Sequence, residues 1–232
     1  MREIIFDTET TGLDPKTGDR LVEIGCVELV DRRETGVTFH AYFNPERDMP
    51  AAAEAVHGLS IQFLSDKPLF ATRVDELMEF LGDAPMIAHN AAFDFGFINA
   101  ELALAGRSGL DMSRMRCTVQ MARKLHPGAK HSLDALCTRY GIDRSHRIKH
   151  GALLDAELLA HLYIEMTGGR QIGLGLAANA AGAVPSAIAD PVRAAPPRAF
   201  REPRPHGATP AELARHAEFV ATLTGPLWHD SP

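Results

Sequence analysis

An apolar run near the start of the chain, IIFDTETTGL, carries two acidic side chains, Asp7 and Glu9, two residues apart. The run is typical of a buried β-strand, in which successive side chains alternate between the two faces. Asp7 and Glu9 therefore point the same way, while Ile5 and Leu13 are expected to stay with the core. Two carboxylates this close repel each other unless a divalent cation lies between them. Although an Asp-x-Glu triplet alone is more often a turn or a solvated strand end, this one predicts a strand that ends at a metal site.

Two later segments carry acids as well, because Asp94 lies in HNAAFDFGFI and Asp155 follows His150 by five residues in HGALLDAELL. Five residues of α-helix rotate the chain by about 500°, which would leave the side chains of His150 and Asp155 roughly 140° apart. Two such side chains could not face one site. We therefore place His150 in a loop and begin the next helix near Gly151, with Asp155 on its inner face.

The order of strand and helix patterns predicts an α/β fold. Three strand-like runs, at residues 3–7, 21–29 and 37–43, come in succession and indicate two antiparallel connections. Helical patterns then alternate with short apolar strands, at residues 73–81, 86–88, 92–104, 115–118, 119–125, 133–140 and 152–166. This order favours a mixed sheet with helices on both faces. Sites in such sheets form at strand ends, where Asp7 is expected to lie.

Three motifs in this order, FDTETTGL, HNAAFDFGFI and HGALLDA, resemble the DEDDh family of 3′-to-5′ exonucleases. The segments EIGCVEL, HGLS, FLSDKP and HSLDALCTRYGID extend the resemblance over residues 2–170. It implies a ribonuclease H-like fold and a metal-dependent 3′-to-5′ exonuclease that removes mispaired 3′-terminal nucleotides from DNA during replication. One departure is Cys117, where relatives often carry an Asp, but that position is not one of the family's catalytic residues.

The resemblance implies a role for each acid. Two hard cations about 3.5–4 Å apart can activate a water, neutralise a phosphate and assist the leaving oxygen. Oxygen ligands suit Mg²⁺ or Mn²⁺. By resemblance Asp7 bridges two such cations, Glu9 and Asp155 hold the one with the attacking water, and Asp94 acts partly through water. His150 is the candidate general base, because a neutral imidazole can accept a proton near pH 7.

The resemblance also implies a set of substrate-binding residues, which comprises Asp7, Thr8, Glu9, His57 and Asp155. Several candidates have ordinary structural explanations too. Asp94 alone would be taken as a solvated helix residue, and a turn before Gly58 explains His57 nearly as well as a pocket does. His89 and Asn90 follow the apolar run PMIA, so a substrate-side role and a simple strand end are equally supported.

The charge balance bears on how the chain meets nucleic acid. The net charge is −6, which is unusual for a protein that grips nucleic acid alone. We expect weak intrinsic DNA affinity and a partner that supplies the basic surface. A local basic run consists of Arg139, Arg144, Arg147 and Lys149, and contact with the phosphate backbone and simple solvation explain it equally well.

The cysteine content and hydropathy predict a cytoplasmic protein. Cys26, Cys117 and Cys137 lie in apolar surroundings without metal-site or Cys-x-x-Cys spacing and are expected to stay reduced. No apolar stretch approaches the roughly 20 residues that span a membrane. The first residues are not expected to form a signal peptide, because they already belong to the first strand.

The composition changes after residue 168, which closes the predicted exonuclease domain (1–168). The segment 169–176 resembles a clamp-binding peptide through Gln171, Leu174 and Leu176, although a frayed domain end would look similar. Residues 177–208 form an Ala/Pro-rich flexible linker. A short helix is predicted in 209–232, with Thr209 as N-cap and Pro210 at its first position.

This terminal helix is marginal alone, so it is predicted to dock on a partner through Leu213, Phe219, Leu223 and Trp228. Packing back onto the first domain is the alternative. The partners implied are DNA 3′ ends, the catalytic subunit of a replicative polymerase, and the sliding clamp. Two other functions stay open at this point, which are an exoribonuclease that trims RNA 3′ ends and a structural bridge between clamp and polymerase.

Overall fold

The structure is a computed structural model that describes residues 1–169 and 207–224. Its sheet contains three long strands, β1 (Arg2–Thr10), β2 (Leu21–Val30) and β3 (Arg33–Tyr42), and two short ones, β4 (Met86–Ala88) and β5 (Met115–Cys117). The strand order is β3-β2-β1-β4-β5, with antiparallel pairing among the first three strands and parallel pairing of β1 with β4 and of β4 with β5. The predicted α/β class and mixed sheet are confirmed.

Helices cover both faces of this sheet. They are α1 (Ala51–His57), α2 (Ile61–Leu64), α3 (Phe70–Leu81), α4 (Ala91–Leu104), α5 (Thr118–Leu125), α6 (Leu133–Tyr140) and α7 (Ala152–Met166). One core forms between the sheet and α3 with α4, and the other forms between the sheet and α5, α6 and α7. A sheet buried on both faces needs nearly continuous apolar strands, which explains the run that opens the chain.

Strand β1 divides its side chains between the two cores. Ile4 and Phe6 are buried on the face of α3 and α4, whereas Ile5 is buried against α7. Because the side chains alternate, Asp7 and Glu9 continue the row of Ile5. The strand thereby carries its carboxylates toward the side of the sheet on which α7 begins.

The starts of two helices bring the remaining acids to the same place. Helix α4 begins at Ala91, and Asp94 lies in its first turn. Helix α7 begins at Ala152 after Gly151, and the backbone N–H of Asp155 donates to the carbonyl of Gly151 at 2.9 Å. The prediction that a loop precedes α7 is therefore confirmed.

Gly25 sets the distance between β2 and the start of α7. It lies opposite Asp7 in the sheet, and a Cβ added there would come within 2.2 Å of the backbone nitrogen of Leu153. Backbone atoms cannot move aside as a flexible side chain can. The Gly25→Ala variant must therefore displace the first turn of α7.

We expect Gly25→Ala to lower the free energy of unfolding by about 2–3 kcal/mol through overpacking. Because the displaced turn carries Asp155, the nuclease activity that the resemblance implies should fall by about 100-fold. Urea denaturation and digestion assays measure the two effects. The matched control is Gly96→Ala within α4, where an added Cβ meets nothing within 4 Å and should be neutral or stabilising. Equal behaviour of the two variants would contradict the close approach at Gly25.

The structure corrects three expectations from the sequence. Strand β1 does not end at Asp7 but continues through Glu9 to Thr10, because β2 pairs with it over this whole length. The placement of Leu13 in the core is wrong, since Leu13 is 85% exposed in the loop that follows β1. Strand β3 begins at Arg33 and not at residue 37, because it pairs with β2 from there on. His57 closes α1, where Gly58 adopts a left-handed φ of 78° as the C-cap, which agrees with the turn predicted before Gly58.

The three cysteines are free thiols within residues 1–169, with Cys26 and Cys137 buried and Cys117 half-buried. Among the described residues no helix combines the length and the apolar character that a bilayer crossing requires.

The described part of the tail contains one helix, α8 (Pro210–Ala221). Thr209 and Glu212 form a reciprocal capping box, with the N–H of Thr209 donating to Oε2 of Glu212 at 2.8 Å. The predicted start of this helix is confirmed. Leu213, Phe219 and Leu223 are exposed. The described residues do not include Gln171, Leu174, Leu176 or Trp228. Of the predicted linker they include only the last two residues.

Candidate active site

Five side chains predicted to form a site meet in one cavity. Strand β1 supplies Asp7 and Glu9, the first turn of α4 supplies Asp94, the first turn of α7 supplies Asp155, and the loop before α7 supplies His150. The wall of the cavity also includes Thr8, His89, Phe93, Ser132, Leu133, Asp134 and Arg147. Residues that are far apart in the chain thus converge at one edge of the sheet.

Thr8 holds the Asp94 carboxylate in place. Its hydroxyl donates to Oδ1 of Asp94 at 2.7 Å, and the Asp94 side chain is buried. The alternative of a solvated Asp94 is therefore excluded, because the helix start packs against β1 instead of facing water. Burial raises the pKa of Asp94 to about 7, and the hydrogen bond from Thr8 opposes that rise.

Burial, together with neighbouring charges, raises the pKa of both site acids on β1. Burial raises the pKa of Asp7 well above its usual range, and the charges of Asp94, Glu9 and Asp155 add to this rise. Burial and the charges of Asp155 and Glu23 raise the pKa of Glu9 to about 8. A fold that gathers buried carboxylates in this way needs protons or cations to balance them.

One buried carboxylate oxygen lacks a hydrogen bond in the part of the chain that the structure describes. Glu9 Oε1 is buried and has no hydrogen-bond partner among the described residues. Buried polar atoms are rarely left unpaired, so an orphaned carboxylate oxygen is a natural cation ligand. Carboxylate oxygens of Glu9 and Asp155 lie within 4.8 Å of each other, and a ring nitrogen of His150, the candidate base, lies within the same distance of both. The donor set fits a divalent cation.

The raised pKa values make the stability of the metal-free protein depend on pH. The pKa values of about 8 for Glu9 and about 7 for Asp94 exceed the ordinary values of 4.5 and 3.8. Between the ordinary and the raised values the folded chain holds protons that the unfolded chain has already lost, so stability decreases as pH rises through this range.

We expect the free energy of unfolding in chelator to fall by on the order of 2 kcal/mol between pH 6 and pH 8. Saturating Mn²⁺ should remove this decline, because a bound cation replaces the protons. Urea denaturation at each pH measures the effect, and Glu9→Gln, which removes one of the titrating groups, should make the decline smaller. Stability that stays level or rises with pH in chelator would refute the assignment.

His150 lies at the edge of the cavity. It is about half exposed, and its Nδ1 lies 3.4 Å from Oδ2 of Asp155. The same nitrogen accepts a hydrogen bond from Nη2 of Arg147 at 2.9 Å. The predicted loop position therefore brings the imidazole to the acids.

Arg147 is a site residue that the sequence did not single out. It was grouped with a basic run facing phosphate or solvent, yet its Nε and Nη2 bind the two carboxylate oxygens of Asp155 at 2.5 and 2.7 Å. Nη1 also reaches Asp134 at 3.1 Å. Only the folded path of the loop brings Arg147 to Asp155, so no periodicity in the sequence could have revealed the pair.

A second cavity adjoins the first and includes His57. Thr8, Glu9 and Phe93 contribute to both cavities, and the second adds Thr10, Thr11, Gly12, Leu13, Asp19, Pro50, Ala52, Ala53 and Val56. The Nδ1 of His57 accepts from the backbone N–H of Leu59 at 3.0 Å, which leaves the proton on Nε2. Burial lowers the pKa of His57, so the ring is a neutral donor. This donor has no partner among the described residues.

The two residues that follow β4 differ in their position. His89 contributes to the first cavity, and its Nδ1 lies 3.0 Å from the hydroxyl oxygen of Thr118. Asn90 precedes α4 with a left-handed φ of 71° and is not among the residues of that cavity. The geometry favours a site position for His89 and a backbone role for Asn90.

Comparison with known proteins identifies a family. The exonuclease family model named RNase_T matches residues 4–163. The chain therefore belongs to this exonuclease family.

Among relatives in the family, a DNA polymerase III subunit epsilon from Rickettsia felis is 55% identical over 174 residues, which cover 74% of this chain and 76% of the relative. The protein of that name from Escherichia coli K12 is 47% identical over 177 residues, with 73% and 72% covered. The similarity to the epsilon subunit that the motifs indicate is thus confirmed.

Solved structures share the fold. Exonuclease X in complex with 5′ overhanging duplex DNA matches with a TM-score of 0.54 at 25% identity, covering 71% of this chain and 90% of that one. The nuclease domain of 3′hExo, a DEDDh family member bound to rAMP, matches with a TM-score of 0.63 at 17% identity, covering 72% and 91%. The second likeness concerns the fold alone.

Proposed function

We propose that this protein removes nucleotides from the 3′ ends of DNA as the proofreading exonuclease of a replicative polymerase. The observation that carries the proposal is the convergence of four acids from three separate segments at one edge of the sheet, with Glu9 Oε1 buried and unpaired among the described residues. Membership of the exonuclease family supports the exonuclease activity. The relatives named as DNA polymerase III epsilon subunits support the proofreading role.

The carboxylates of Asp7, Glu9, Asp94 and Asp155 would hold the metal. When bound, a pair of divalent cations, Mg²⁺ or Mn²⁺, activates water and neutralises the charge of the scissile phosphate. Hard cations prefer oxygen ligands, and this site offers carboxylates. His150 would accept the proton of the attacking water, since an imidazole can take up a proton near pH 7 and His150 reaches the edge of the cavity.

The second cavity suits the 3′-terminal nucleotide. Phe93 and the exposed side chains of Leu13 and Val56 give it an apolar wall, against which a base or sugar can pack. The Nε2–H of His57 is a buried donor that would meet an oxygen of the nucleotide. Because Thr8 and Glu9 contribute to both cavities, a nucleotide there would present its phosphate to the acids.

The residues after the exonuclease domain would attach it to the polymerase and to the sliding clamp. Helix α8 exposes Leu213, Phe219 and Leu223, and an isolated amphipathic helix of 12 residues gains stability by docking into a groove. We assign this helix, with Trp228, to the polymerase catalytic subunit. The segment 169–176, with Gln171, Leu174 and Leu176, is assigned to the sliding clamp.

Digestion of matched DNA and RNA oligonucleotides tests the substrate. Both are labelled at the 5′ end and offered with Mg²⁺ in separate and mixed reactions. We expect stepwise shortening of DNA at least about tenfold faster than that of RNA, because a 2′-hydroxyl has to fit the pocket of the terminal nucleotide. Faster shortening of RNA would move the protein to RNA 3′-end trimming. If neither oligonucleotide is shortened, the remaining function is that of a structural bridge between clamp and polymerase.

A further inference from the structure

Arg147 blocks a carboxylate that the proposed metal site requires. Its guanidinium binds both oxygens of Asp155, at 2.5 and 2.7 Å, with the side chains only 9% and 3% exposed. A paired arrangement of this kind is among the stronger hydrogen-bonded contacts in proteins. It also ties the loop before α7 to the first turn of that helix.

The same guanidinium also binds His150, the candidate general base. A guanidinium can only donate, so Nδ1 of His150 must accept the hydrogen bond from Nη2 of Arg147 at 2.9 Å. A neutral imidazole with an accepting Nδ1 carries its proton on Nε2. Neither nitrogen of His150 is then free to take a proton from water. This arrangement holds the site together but does not permit catalysis.

We propose that Arg147 is a positioning residue that substitutes for a cation: it holds Asp155 and His150 in place before metal binds, and it leaves both when metal binds. This inference rests on the metal site of the proposed function. It adds a residue whose displacement couples metal binding to the release of the base.

Electrostatics favours such an exchange. Without Arg147, Asp155 would be a buried carboxylate among three others, which is costly. With a divalent cation on the same carboxylate, Arg147 would be a second positive charge in the same small volume. Arg147 already binds both carboxylate oxygens of Asp155, so Arg147 and the cation compete for them.

The neighbouring residues provide a place for the displaced side chain. Arg147 already contacts Oδ1 of Asp134 through Nη1 at 3.1 Å, and Asp134 is about half exposed. Arg147 can turn about this contact and leave Asp155 without losing all of its partners. Arg144 binds the same oxygen at 3.2 Å, which makes it a matched control within the loop.

The test uses the full-length chain with Arg147→Gln, Arg147→Lys and the control Arg144→Gln. Calorimetric titration gives the Kd for Mn²⁺, and thermal melting gives the Tm in chelator and in saturating Mn²⁺. We expect Arg147→Gln to bind Mn²⁺ about tenfold more tightly, because the competitor is gone. Its Tm in chelator should fall by about 5 °C, because Asp155 loses its partner.

In saturating Mn²⁺ the difference in Tm between Arg147→Gln and the wild type should shrink by more than half. Mn²⁺ binds the folded variant more tightly than the folded wild type, so it raises the Tm of the variant more. Arg147→Lys keeps the charge without the paired geometry, so its Kd should lie between the wild type and Arg147→Gln. Arg147→Lys also allows the inference to be tested if Arg147→Gln does not fold. Arg144→Gln should match the wild type in both measurements.

Two results would overturn the inference. One is a Kd for Mn²⁺ that is unchanged or weaker in both Arg147 variants. The other is a Tm deficit as large in Mn²⁺ as in chelator, which would mean that Arg147 stays on Asp155 beside the cation. If the wild type itself bound no Mn²⁺, the proposed metal site would fail together with the inference, and this result is distinct from the other two.

Discussion

Replacing Asp7 by asparagine is expected to reduce exonuclease activity by on the order of 10⁴-fold while leaving the fold intact. Asp7 lies on β1 in the same cavity as the other acids, and its carboxylate is one of the oxygen ligands on which the proposed chemistry depends. An asparagine has nearly the same shape but carries no charge. The loss should therefore reflect the metal site and not the packing.

Stability measurements separate this explanation from simple misfolding. Burial and three neighbouring acids raise the pKa of Asp7, so its charge is unfavourable in the metal-free protein. Asp7→Asn should then unfold at the same or a higher temperature in chelator, and it should bind Mn²⁺ more weakly. The control is Asp66→Asn, an exposed aspartate that contacts only Lys67 among the described residues and should keep full activity. Activity of Asp7→Asn above a hundredth of the wild type would refute the proposed ligand.

Replacing His150 by glutamine should lower kcat by about 10²–10⁴-fold. Glutamine retains hydrogen-bonding groups but cannot take up a proton near neutral pH. Because His150 lies at the edge of the cavity and is half exposed, its replacement should change the Kd for Mn²⁺ by less than about threefold and should barely alter stability.

The ratio of the two effects identifies the role of His150. A base contributes to the rate, whereas a metal ligand contributes to both the rate and the metal affinity. His146→Gln in the same loop is the matched control, because His146 is exposed and outside the cavity. If His150→Gln lost metal affinity in proportion to rate, His150 would be a ligand. An unchanged rate would exclude it as the base.

Local patterns were sufficient to predict the elements that carry the acids. Strand β4 and helices α6 and α7 have the bounds that periodicity predicts, since each combines a regular apolar spacing with a clear break. The rotation of a helix per residue was enough to place His150 outside α7. Helix α1 escaped prediction because it is only 7 residues long and has one buried side chain, His57.

Other features depend on contacts between distant segments. The burial of Asp94 follows from the packing of α4 on β1 and from the hydroxyl of Thr8, and neither is visible in a helical pattern. Leu13 was misplaced because the end of a strand is set by its partner strand. The pairing of Arg147 with Asp155 depends on the path of one irregular loop. The roles of Gln171, Leu174, Leu176 and Trp228 stay predictions.

The measurement that tests the central claim most directly is digestion of a 5′-labelled DNA strand by the wild type in Mg²⁺, in excess chelator, and by Asp7→Asn in Mg²⁺. A metal-dependent 3′-to-5′ exonuclease should shorten the strand by single nucleotides and release 5′-monophosphates only in the first reaction. Shortening that persists in chelator, or in the Asp7→Asn reaction, would contradict a carboxylate-held metal site as the origin of the activity.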